Sequence, residues 1–472
     1  MRYYFLGIGG IGMSALARFF HRRGDIVSGY DRTPSPLTAE LEAEGITVHY
    51  DDRPSDLPSN IDLVVYTPAV PEELGEFQAL KASGVRMEKR SQVLGELTRG
   101  KCCIAVAGSH GKTTTSTLIA HLLSKAPCGC SAFLGGISKN FNSNILINNN
   151  SDYVVVEADE YDRSFLQLHP HFAVITATDA DHLDIYGDHH TLLEAYSQFA
   201  NQTDKDGLVV LKDGIFLEDN GEPFGHHNGH EDNHEGHHHN QYEFLQRPCA
   251  TYTAHGIEAD YYAINVRTYN GNLFFDLRTP DGVLYDLELD GAPLVNIENA
   301  VAASAVALSC GLDQYQLRSG LKSFAGVRRR FDYRIREKNL VYIDDYAHHP
   351  QEIKRTIESV RYLYPGKRVI GIFQPHLYTR TRDFADEFAS VLSRLDEIVM
   401  MPIYPAREKP ILGVNSSMLL RKIDSMSKYL CTADQVLELV PALCPDIVLT
   451  LGAGDIDRLV PRLEETLRDN LL

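Results

Sequence analysis

Residues 103–115 read CIAVAGSHGKTTT, an apolar run that ends in a glycine-containing turn followed by a lysine and threonines. An apolar strand at Cys103–Ala107, this turn and a helical pattern over Ser116–Ser124 predict a strand–loop–helix unit. In such a unit backbone N–H groups surround phosphates, the lysine reaches the β- and γ-phosphate oxygens, and the first threonine reaches Mg²⁺. The segment is a shortened P-loop, because Val106 stands where the strict pattern has its first glycine. It predicts binding of a nucleoside triphosphate through Gly108, Ser109, His110, Gly111, Lys112, Thr113 and Thr114.

The alternation of strand and helix continues on both sides of this loop. Further apolar runs of strand length are Tyr3–Leu6, Leu63–Tyr66, Tyr153–Val156, Phe172–Thr176, Leu340–Ile343, Arg368–Phe373, Glu397–Met401 and Asp446–Leu451. Continuous apolar strands that alternate with helices predict βαβ units and parallel sheets covered on both faces, so the fold class is α/β. Residues 250–290 alternate polar and apolar side chains in short runs, which predicts a small antiparallel sheet within the middle domain.

Length, charge and cysteine content narrow the class of protein. The chain has 472 residues, which corresponds to about three domains. It carries 45 Lys+Arg against 64 Asp+Glu, a net charge of −19, which argues against a nucleic-acid wrapper or an anionic-membrane binder. No apolar run approaches the about 20 residues of a membrane-spanning helix. Eight cysteines without CxxC spacing predict neither a disulfide framework nor a zinc site, and favour a reducing, cytoplasmic location.

A second glycine-rich turn lies near the start of the chain. Gly7-Ile8-Gly9-Gly10-Ile11-Gly12 follows the strand Tyr3–Leu6 and precedes a helix predicted over Met13–Arg23, and Asp31 ends the next strand. Glycines in this context allow a tight turn and the close approach of a pyrophosphate to a helix N-terminus. The motif therefore predicts a phosphate-bearing ligand, but it does not distinguish a nicotinamide dinucleotide from another diphosphate nucleotide.

Acidic residues follow two of the predicted strands. Glu157 and its acidic neighbours end one strand, and Asp179-Ala180-Asp181-His182 follows the next. The carboxyl ends of parallel strands lie at the edge of a sheet where ligands bind. Mg²⁺ that bridges phosphates needs only one or two protein ligands and prefers carboxylate oxygens. These segments predict a metal site beside the P-loop.

The C-terminal third places histidines and arginines after its strands. Residues 344–350 (DDYAHHP) and 374–382 (QPHLYTRTR) each follow an apolar run, residues 452–455 (GAGD) follow another, and Arg328–Arg330 precede this region. Strand-terminal segments converge on one crevice of an α/β sheet. In an acidic chain, clustered arginines favour binding of phosphate groups.

Residues 225–241 read GHHNGHEDNHEGHHHNQ and hold seven of the 20 histidines. The stretch has no apolar periodicity, which predicts a solvated loop. Its ligand spacing is irregular, so a tolerated insertion is favoured over a dedicated metal site.

Taken in order, the motifs resemble those of the Mur ligases, cytoplasmic ATP-dependent amide-forming enzymes of peptidoglycan synthesis. The matching segments are GIGGIGMSALA (7–17), GSHGKTTT (108–115), EADEYDRSF (157–165), DADHLDIYG (179–187), RRRFD (328–332), DDYAHHPQE (344–352) and FQPHLYTRTRD (373–383). The resemblance implies a Rossmann-like UDP-sugar domain at 1–99, a P-loop ATPase domain at 100–325 that contains the insert 225–241, and a Rossmann-like amino-acid domain at 326–472.

The resemblance also implies substrates and a reaction. ATP, with Mg²⁺ or alternatively Mn²⁺, phosphorylates the carboxylate of UDP-N-acetylmuramate, and the amine of L-alanine then displaces phosphate from the acyl phosphate. Within the family, a murein-peptide ligase that attaches a recycled tripeptide to the same UDP-sugar is the alternative. Outside it, an NAD-dependent oxidoreductase would use the first glycine loop and Asp31, but it leaves the P-loop and the acidic strand ends unexplained. An oligomeric state is not indicated.

Residue roles follow from the matched positions. The resemblance assigns the UDP-sugar to Gly9, Gly10, Ile11, Gly12 and Asp31. It assigns ATP to the P-loop together with Asn296, Asn299, Arg330 and Asp345. Metal ions would be held by Thr113, Glu157 and His182. Catalysis would involve Lys112, Glu157, His182, His348 and Arg380, and the face toward the amino acid and the acyl phosphate would comprise Tyr346, His348, His376 and Arg380.

Overall fold

The computed structural model describes residues 1–180, 183–215, 217, 245, 247–256, 259–406 and 408–470. The histidine-rich stretch 225–241 and His182 lie outside these residues, so the predictions made for them stay predictions. The chain divides into two compact units. The first comprises Met1–Asn265, Asp276–Leu287 and Glu298–Ala325, and the second comprises Val266–Phe275, Glu288–Ile297 and Gly326–Leu472.

The N-terminal sheet of the first unit is parallel throughout. Its strands are β1 (Arg2–Leu6), β2 (Ile26–Tyr30), β3 (Thr47–His49), β4 (Leu63–Tyr66) and β5 (Met87–Lys89), in the order β3-β2-β1-β4-β5. Its helices are α1 (Ile11–Arg22), α2 (Pro36–Ala43), α3 (Gly75–Ser83) and α4 (Arg90–Thr98), with a 3₁₀ segment at Pro54–Asp56. Tyr3 and Phe5 of β1 pack into one core and Tyr4 and Leu6 into another, because successive side chains of a strand point to opposite faces.

The second sheet carries the P-loop. Its strands are β6 (Cys102–Ala107), β7 (Ser131–Ser138), β8 (Ser143–Leu146), β9 (Tyr153–Glu157), β10 (Phe172–Ile175), β11 (Leu208–Lys212), β12 (Cys249–Thr253), β13 (Tyr261–Tyr269), β14 (Asn272–Thr279) and β15 (Gly282–Leu289). The order is β15-β14-β13-β12-β11-β10-β6-β9-β7-β8. The helices that follow these strands are α5 (Lys112–Lys125), α6 (Leu183–Tyr186), α7 (His189–Asn201), α8 (Val295–Ser309) and α9 (Gln314–Lys322), with a 3₁₀ segment at Tyr161–Gln167.

Most of this sheet is parallel, and its exceptions lie toward its edges. Strands β6, β9, β10, β11 and β12 pair in parallel, whereas β8 runs antiparallel to β7. Two-residue turns join β13 to β14 and β14 to β15, and only antiparallel neighbours can be joined so closely. The first turn is Asn270-Gly271, whose φ values of 51° and 75° suit a type I′ hairpin. The antiparallel excursion predicted for residues 250–290 is confirmed for β13–β15, while β12 pairs in parallel.

The second unit contains a third sheet. Its strands are β16 (Asp332–Arg336), β17 (Val341–Asp345), β18 (Val369–Phe373), β19 (Glu397–Met400), β20 (Lys428–Leu430) and β21 (Ile447–Leu451), in the order β16-β17-β21-β18-β19-β20. Only the pairing of β16 with β17 is antiparallel among these described strands. The accompanying helices are α10 (Pro350–Leu363), α11 (Tyr378–Asp383), α12 (Ala385–Leu392), α13 (Ser416–Lys422), α14 (Ala433–Ala442) and α15 (Leu459–Asp469), with a 3₁₀ segment at Asp455–Arg458.

The predicted α/β fold with three sheet-based domains is confirmed, but several element boundaries were wrong, among them the start of α5, at Lys112 instead of Ser116, and the end of β17. The apolar run predicts that the strand ends at Ile343, whereas β17 continues through Asp344 and Asp345. Both carboxylates are buried, and each accepts a hydrogen bond from a hydroxyl group. Thr450 donates to Asp344 at 2.7 Å and Thr356 donates to Asp345 at 2.7 Å. No helix among the described residues combines the length and the hydrophobicity needed to cross a bilayer.

Candidate active site

The P-loop joins β6 to α5 in a conformation that requires glycine at both ends. Gly108 and Gly111 have φ values of 137° and 83°, in the region that disfavours other residues. A Cβ atom on Gly108 would overlap the Thr176 side chain, and one on Gly111 would lie 2.9 Å from Oδ1 of Asn299. The loop therefore packs directly against the neighbouring β10 strand end and against α8. Its backbone N–H groups lead into the N-terminus of α5, where a helix favours negative charge.

The side chain of Lys112 is fixed in place by contacts with the P-loop backbone and with Glu160. Its Nζ atom donates to the Gly108 carbonyl oxygen at 2.6 Å and forms an ion pair with Glu160 at 2.8 Å. Glu160 is almost fully buried, with 1% of its side chain exposed. Burial lowers the pKa of Lys112, but the carboxylates of Glu160 and Glu157 outweigh it, and the pKa lies above its ordinary value. Lys112 is therefore a fixed cation beside the predicted phosphate site.

Polar contacts tie the rest of the loop to the end of β10. The Ser109 hydroxyl donates to Oδ2 of Asp179 at 3.1 Å, and the ring of His110 lies 3.8 Å from the same carboxylate. The Thr176 hydroxyl donates to the carbonyl oxygens of Ala107 and His110. Part of the predicted acidic strand end thus orders the P-loop through Asp179.

The residues that follow Lys112 lie in the first turn of α5. Thr113 is buried and Thr114 is partly exposed. Asn299 is also buried, and its Oδ1 atom accepts a hydrogen bond from Thr115 at 3.1 Å. Asn299 therefore lies against the P-loop and the start of α5. Asn296, at the start of α8 in the second unit, is partly exposed.

Glu157 is the last residue of β9, and its register partner on β6 is Val106. The Oε2 atom of Glu157 is buried and has no hydrogen-bonding partner among the described residues. The carboxylate occupies the room that a Cβ atom would need at Gly135 on β7. A buried carboxylate oxygen without a donor is costly unless a cation or a proton satisfies it. Glu157 therefore offers a hard oxygen ligand of the kind that Mg²⁺ prefers.

A cavity of about 270 Å³ extends from Glu157 to the N-terminal glycine loop. Its lining joins the two sheets of the first unit. The lining residues are Gly10, Ile11, Gly12, Met13, Ala15, Leu16, Thr67, Ala69, Arg90, Leu94, Phe133, Leu134, Gly135, Glu157 and Asp159. The structure thus brings the predicted diphosphate loop and the predicted metal ligand to one space.

The glycine loop is shaped by its neighbours. The Gly9 N–H group donates to Oδ2 of Asp31 at 2.8 Å, and a Cβ atom on Gly9 would lie 2.8 Å from the same oxygen. Asp31 therefore supports the loop from behind. Gly10 precedes α1 and, with Ile11 and Gly12, lines the cavity.

Sequence reasoning missed the cation of this cavity. Arg90, at the start of α4, lies so close to Gly12 that a Cβ atom there would be 2.9 Å from its guanidinium. It also pairs with Asp159 at 3.2 Å, and its neighbour Lys89 pairs with Asp162 at 2.6 Å. The sequence does place two basic residues, Lys89 and Arg90, at the end of a parallel strand, and this pattern could have indicated a cation at the site. The signal was weak, because the strand β5 has only three residues and no apolar run.

The second unit gathers the aromatic and basic residues of its strand ends. The rings of His348 and His376 lie 5.9 Å apart, and a ring nitrogen of His376 is 3.5 Å from Arg380. Burial lowers the pKa of His348 below its ordinary value, although Glu352 opposes this effect. Burial, together with His348 and Arg380, lowers the pKa of His376 to about 4. Both imidazoles are therefore neutral near pH 7 and able to accept a proton.

Other predicted residues of this unit have distinct environments. The guanidinium group of Arg330 lies 5.1 Å from the ring centroid of Tyr346, within cation–π range, and Arg329 lies at the same distance. Asp345 is buried within the second unit, where its carboxylate accepts a hydrogen bond from the Thr356 hydroxyl. Burial raises its pKa to about 6.

Comparison with known proteins identifies the family. Residues 2–101 match the Mur ligase family catalytic domain, residues 106–307 match the Mur ligase middle domain, and residues 329–454 match the Mur ligase glutamate ligase domain. The chain is 47% identical over 475 residues to a UDP-N-acetylmuramate–L-alanine ligase from Parabacteroides distasonis, covering 98% of this chain and 96% of the relative. The chain belongs to the Mur ligase family.

Other relatives agree with this assignment. A UDP-N-acetylmuramate–L-alanine ligase from Porphyromonas gingivalis is 46% identical over 473 residues, with 99% of both chains covered. The crystal structure of the UDP-N-acetylmuramate–alanine ligase MurC from Thermotoga maritima superimposes with a TM-score of 0.82 at 26% identity, over 99% of both chains. A murein peptide ligase from Psychrobacter arcticus, at 21% identity and a TM-score of 0.67, shares the fold.

Membership places the site in context. In this Mur ligase the P-loop, Glu157 and the glycine loop all belong to the first unit, so their arrangement is fixed within one compact body. Tyr346, His348, His376 and Arg380 belong to the second unit.

Proposed function

We propose that this Mur ligase joins L-alanine to the carboxylate of UDP-N-acetylmuramate, with hydrolysis of ATP to ADP and phosphate, in the synthesis of peptidoglycan precursors. The observation that carries the proposal is the near full-length identity, at 47% and 46%, to relatives of that name. We place the reaction in the cytoplasm. The proposed domains are residues 1–99 for the UDP-sugar, 100–325 for ATP and 326–472 for the amino acid.

ATP is assigned to the P-loop. The loop from Gly108 to Gly111 surrounds the phosphates, and Lys112 neutralises the β- and γ-phosphate charge. The Ser109 N–H group donates to the Ala177 carbonyl oxygen at 3.0 Å, so the remaining backbone N–H groups of the loop would face the phosphates. The pairing of Lys112 with Glu160 supports this role, because it presents the ammonium at the loop without leaving a buried cation alone. Thr113 and Thr114 lie at the helix start. Asn296, Asn299, Arg330 and Asp345 remain proposed ATP contacts.

The donor set suits Mg²⁺, with Mn²⁺ as an alternative. Thr113 and Glu157 would hold the ion, and His182 would join Glu157 at a second ion. Glu157 fits this role because its Oε2 atom is buried without a donor among the described residues. A bound divalent cation neutralises phosphate charge and orients the attacking carboxylate. The protein's part is to leave room for the carboxylate ligand at this place, and the absence of a side chain at Gly135 does so.

UDP-N-acetylmuramate is assigned to the cavity. Its diphosphate would lie against Gly10 and meet the N–H groups of Ile11 and Gly12 at the start of α1. The Gly10 N–H group donates to the Gly7 carbonyl oxygen at 3.2 Å, and Gly9 and Asp31 help to shape the loop. Arg90 supplies a cation at the same wall, which an acidic chain needs in order to hold an anionic sugar nucleotide. The muramoyl carboxylate would point toward Glu157, which also lines the cavity.

The chemistry then proceeds in two steps. A muramoyl carboxylate oxygen attacks the γ-phosphorus, the bond to the β-phosphate oxygen breaks, and Lys112 stabilises the charge of the transition state. The amine of L-alanine attacks the acyl phosphate, loses a proton, and phosphate leaves. His348 and His376 are candidate proton acceptors because both are neutral near pH 7, and Tyr346 and Arg380 complete the proposed amino-acid face.

A phosphate-release assay tests the proposal. The enzyme receives ATP, Mg²⁺ and UDP-N-acetylmuramate with L-alanine, glycine, L-serine or the tripeptide of the alternative ligase as the amine. We expect turnover that requires all components and is fastest with L-alanine. Equal phosphate release without any amine would contradict the ligase assignment, and a preference for the tripeptide would select the alternative.

A further inference from the structure

Asn144 is a fully buried polar residue of β8 that no substrate assignment uses. Its Nδ2 atom donates to the carbonyl oxygen of Ile11 at 2.6 Å and to the Ser14 hydroxyl at 2.9 Å. Its Oδ1 atom accepts from the guanidinium of Arg18 at 2.7 Å. Asn144 thus joins the second sheet to the first turn of α1, immediately after the glycine loop.

The orientation of this amide is determined by its partners. Arg18 can only donate and a carbonyl oxygen can only accept, so the oxygen of Asn144 must face Arg18 and its nitrogen must face Ile11. Arg18 has 2% of its side chain exposed and also pairs with Glu40 at 2.9 Å and Glu44 at 2.7 Å. The buried charge is therefore compensated, and a charge-assisted hydrogen bond orients Asn144.

The location of this network gives it a consequence for substrate. Ile11 and Glu157 both line the cavity. Strand β8 belongs to the same sheet as the β9 strand that ends in Glu157. Asn144 therefore adds three directional hydrogen bonds between the sheet that carries Glu157 and α1, beside the apolar packing of α1 on this sheet.

We propose that Asn144 is a positioning residue for the UDP-sugar, acting through the Ile11 carbonyl group and the start of α1. The inference rests on the proposed assignment of the UDP-sugar diphosphate to the glycine loop. Asn144 touches no substrate atom. It holds the loop so that its N–H groups and the Glu157 carboxylate are spaced for one substrate molecule.

The sharpest variant is Asn144→Asp, which has nearly the same shape. The carboxylate still accepts from Arg18, but its second oxygen now faces the Ile11 carbonyl oxygen, and two acceptors repel. We expect the KM for UDP-N-acetylmuramate to rise about tenfold, with kcat and the KM for ATP changed by less than about threefold. The matched control is Asn149→Asp, the same change at an exposed position, for which wild-type constants are expected.

A milder variant keeps the test decisive if Asn144→Asp does not fold. Ser14→Ala removes one of the two groups that accept from Asn144 and leaves the Ile11 carbonyl in place. We expect the same selective rise in the KM for the UDP-sugar, of about threefold. Calorimetric titration of UDP-N-acetylmuramate in the absence of ATP should show a matching increase in Kd.

The outcomes separate this inference from the proposed function. Wild-type enzyme without turnover of UDP-N-acetylmuramate and L-alanine would refute the proposed function itself. An active wild type, with an unchanged KM and Kd for the UDP-sugar in the variants, would overturn only the role of Asn144. A fall in kcat without a rise in this KM would also overturn it, because the loop would then not be what Asn144 positions.

Discussion

Gly135 controls the position of the proposed metal ligand. A Cβ atom built on Gly135 would overlap the carboxyl carbon and both carboxylate oxygens of Glu157. Gly135 lies in the regular strand β7, so alanine at this position meets a steric conflict with the Glu157 carboxylate. The overlap involves the far end of a flexible side chain. We therefore expect Gly135→Ala to fold and to displace the Glu157 carboxylate.

The size of the effect follows from the geometry. Ordinary van der Waals contact begins at 3.4 Å, so the carboxylate has to move by about 1 Å or more, and a misplacement of that size costs about 10²-fold in rate. This corresponds to about 2.7 kcal/mol of transition-state stabilisation. No hydrogen bond to Oε2 among the described residues resists the movement. Activity should therefore fall far more than stability.

Three measurements define the assay. Phosphate release with saturating substrates gives kcat, titration of Mg²⁺ gives the apparent metal requirement, and electron paramagnetic resonance of Mn²⁺ reports binding without turnover. We expect a loss of about 10²-fold in kcat and a higher Mg²⁺ concentration for half-maximal activity. The unfolding temperature should stay within a few degrees of the wild type.

A double-mutant cycle with Glu157→Gln provides the control. If Gly135→Ala acts through the Glu157 carboxylate, adding it to Glu157→Gln should reduce activity little further. Fully additive losses would refute the reasoning, as would wild-type turnover and metal binding in Gly135→Ala alone.

Three further predictions concern charged groups. Lys112→Ala should lower turnover by about 10²-fold or more, since Glu160 then faces the phosphate site without its cation; normal phosphate release in this variant would contradict the P-loop assignment. Arg90→Met keeps the stem but removes the charge at the cavity wall, so the KM for UDP-N-acetylmuramate should rise about tenfold, whereas Lys89→Met, outside the cavity lining, should leave it unchanged. Burial raises the pKa of Asp344 to about 6 from 3.8, so the folded state retains a proton that the unfolded chain has lost, and stability decreases as pH rises through this window. Relative to wild type, Asp344→Asn should gain about 1.4 kcal/mol in unfolding free energy between about pH 5 and about pH 7.5, and parallel pH curves for the two proteins would show that Asp344 does not titrate there.

Sites built from consecutive residues were predictable. The P-loop lies within residues 108–114, where the strand, the turn and the helix are all adjacent in sequence, and the structure forms it between β6 and α5. The position of Glu157 was predictable for the same reason, because a carboxylate at the end of an apolar strand lies at a sheet edge. Sequence pattern alone also sufficed for the alternating α/β fold and for the hairpins of residues 250–290.

Contacts between distant residues were not predictable. Arg90 meets Gly12 and Asp159 across 78 and 69 positions, and Asn144 meets Ile11 across 133. Sequence periodicity reports which face of an element is apolar, but not which polar side chains of two separate elements meet. Asp31 illustrates the point, because the hydrogen bond that its carboxylate accepts from the Gly9 N–H group could not be predicted from its place after β2.

The sequence by itself determined the P-loop, the alternation of strands and helices, and the family resemblance, because each depends on residues that are neighbours along the chain. Tertiary structure alone decided that the glycine loop and Glu157 share one cavity and that Arg90 supplies its cation. It also decided that Gly135 leaves room for the Glu157 carboxylate and that Asn144 binds the Ile11 carbonyl group. Those features depend on how the two sheets of the first unit pack, and packing joins residues far apart in the chain. The negative charge of −19 is thus compatible with anionic substrates, because folding concentrates Lys112 and Arg90 where phosphates are proposed to bind.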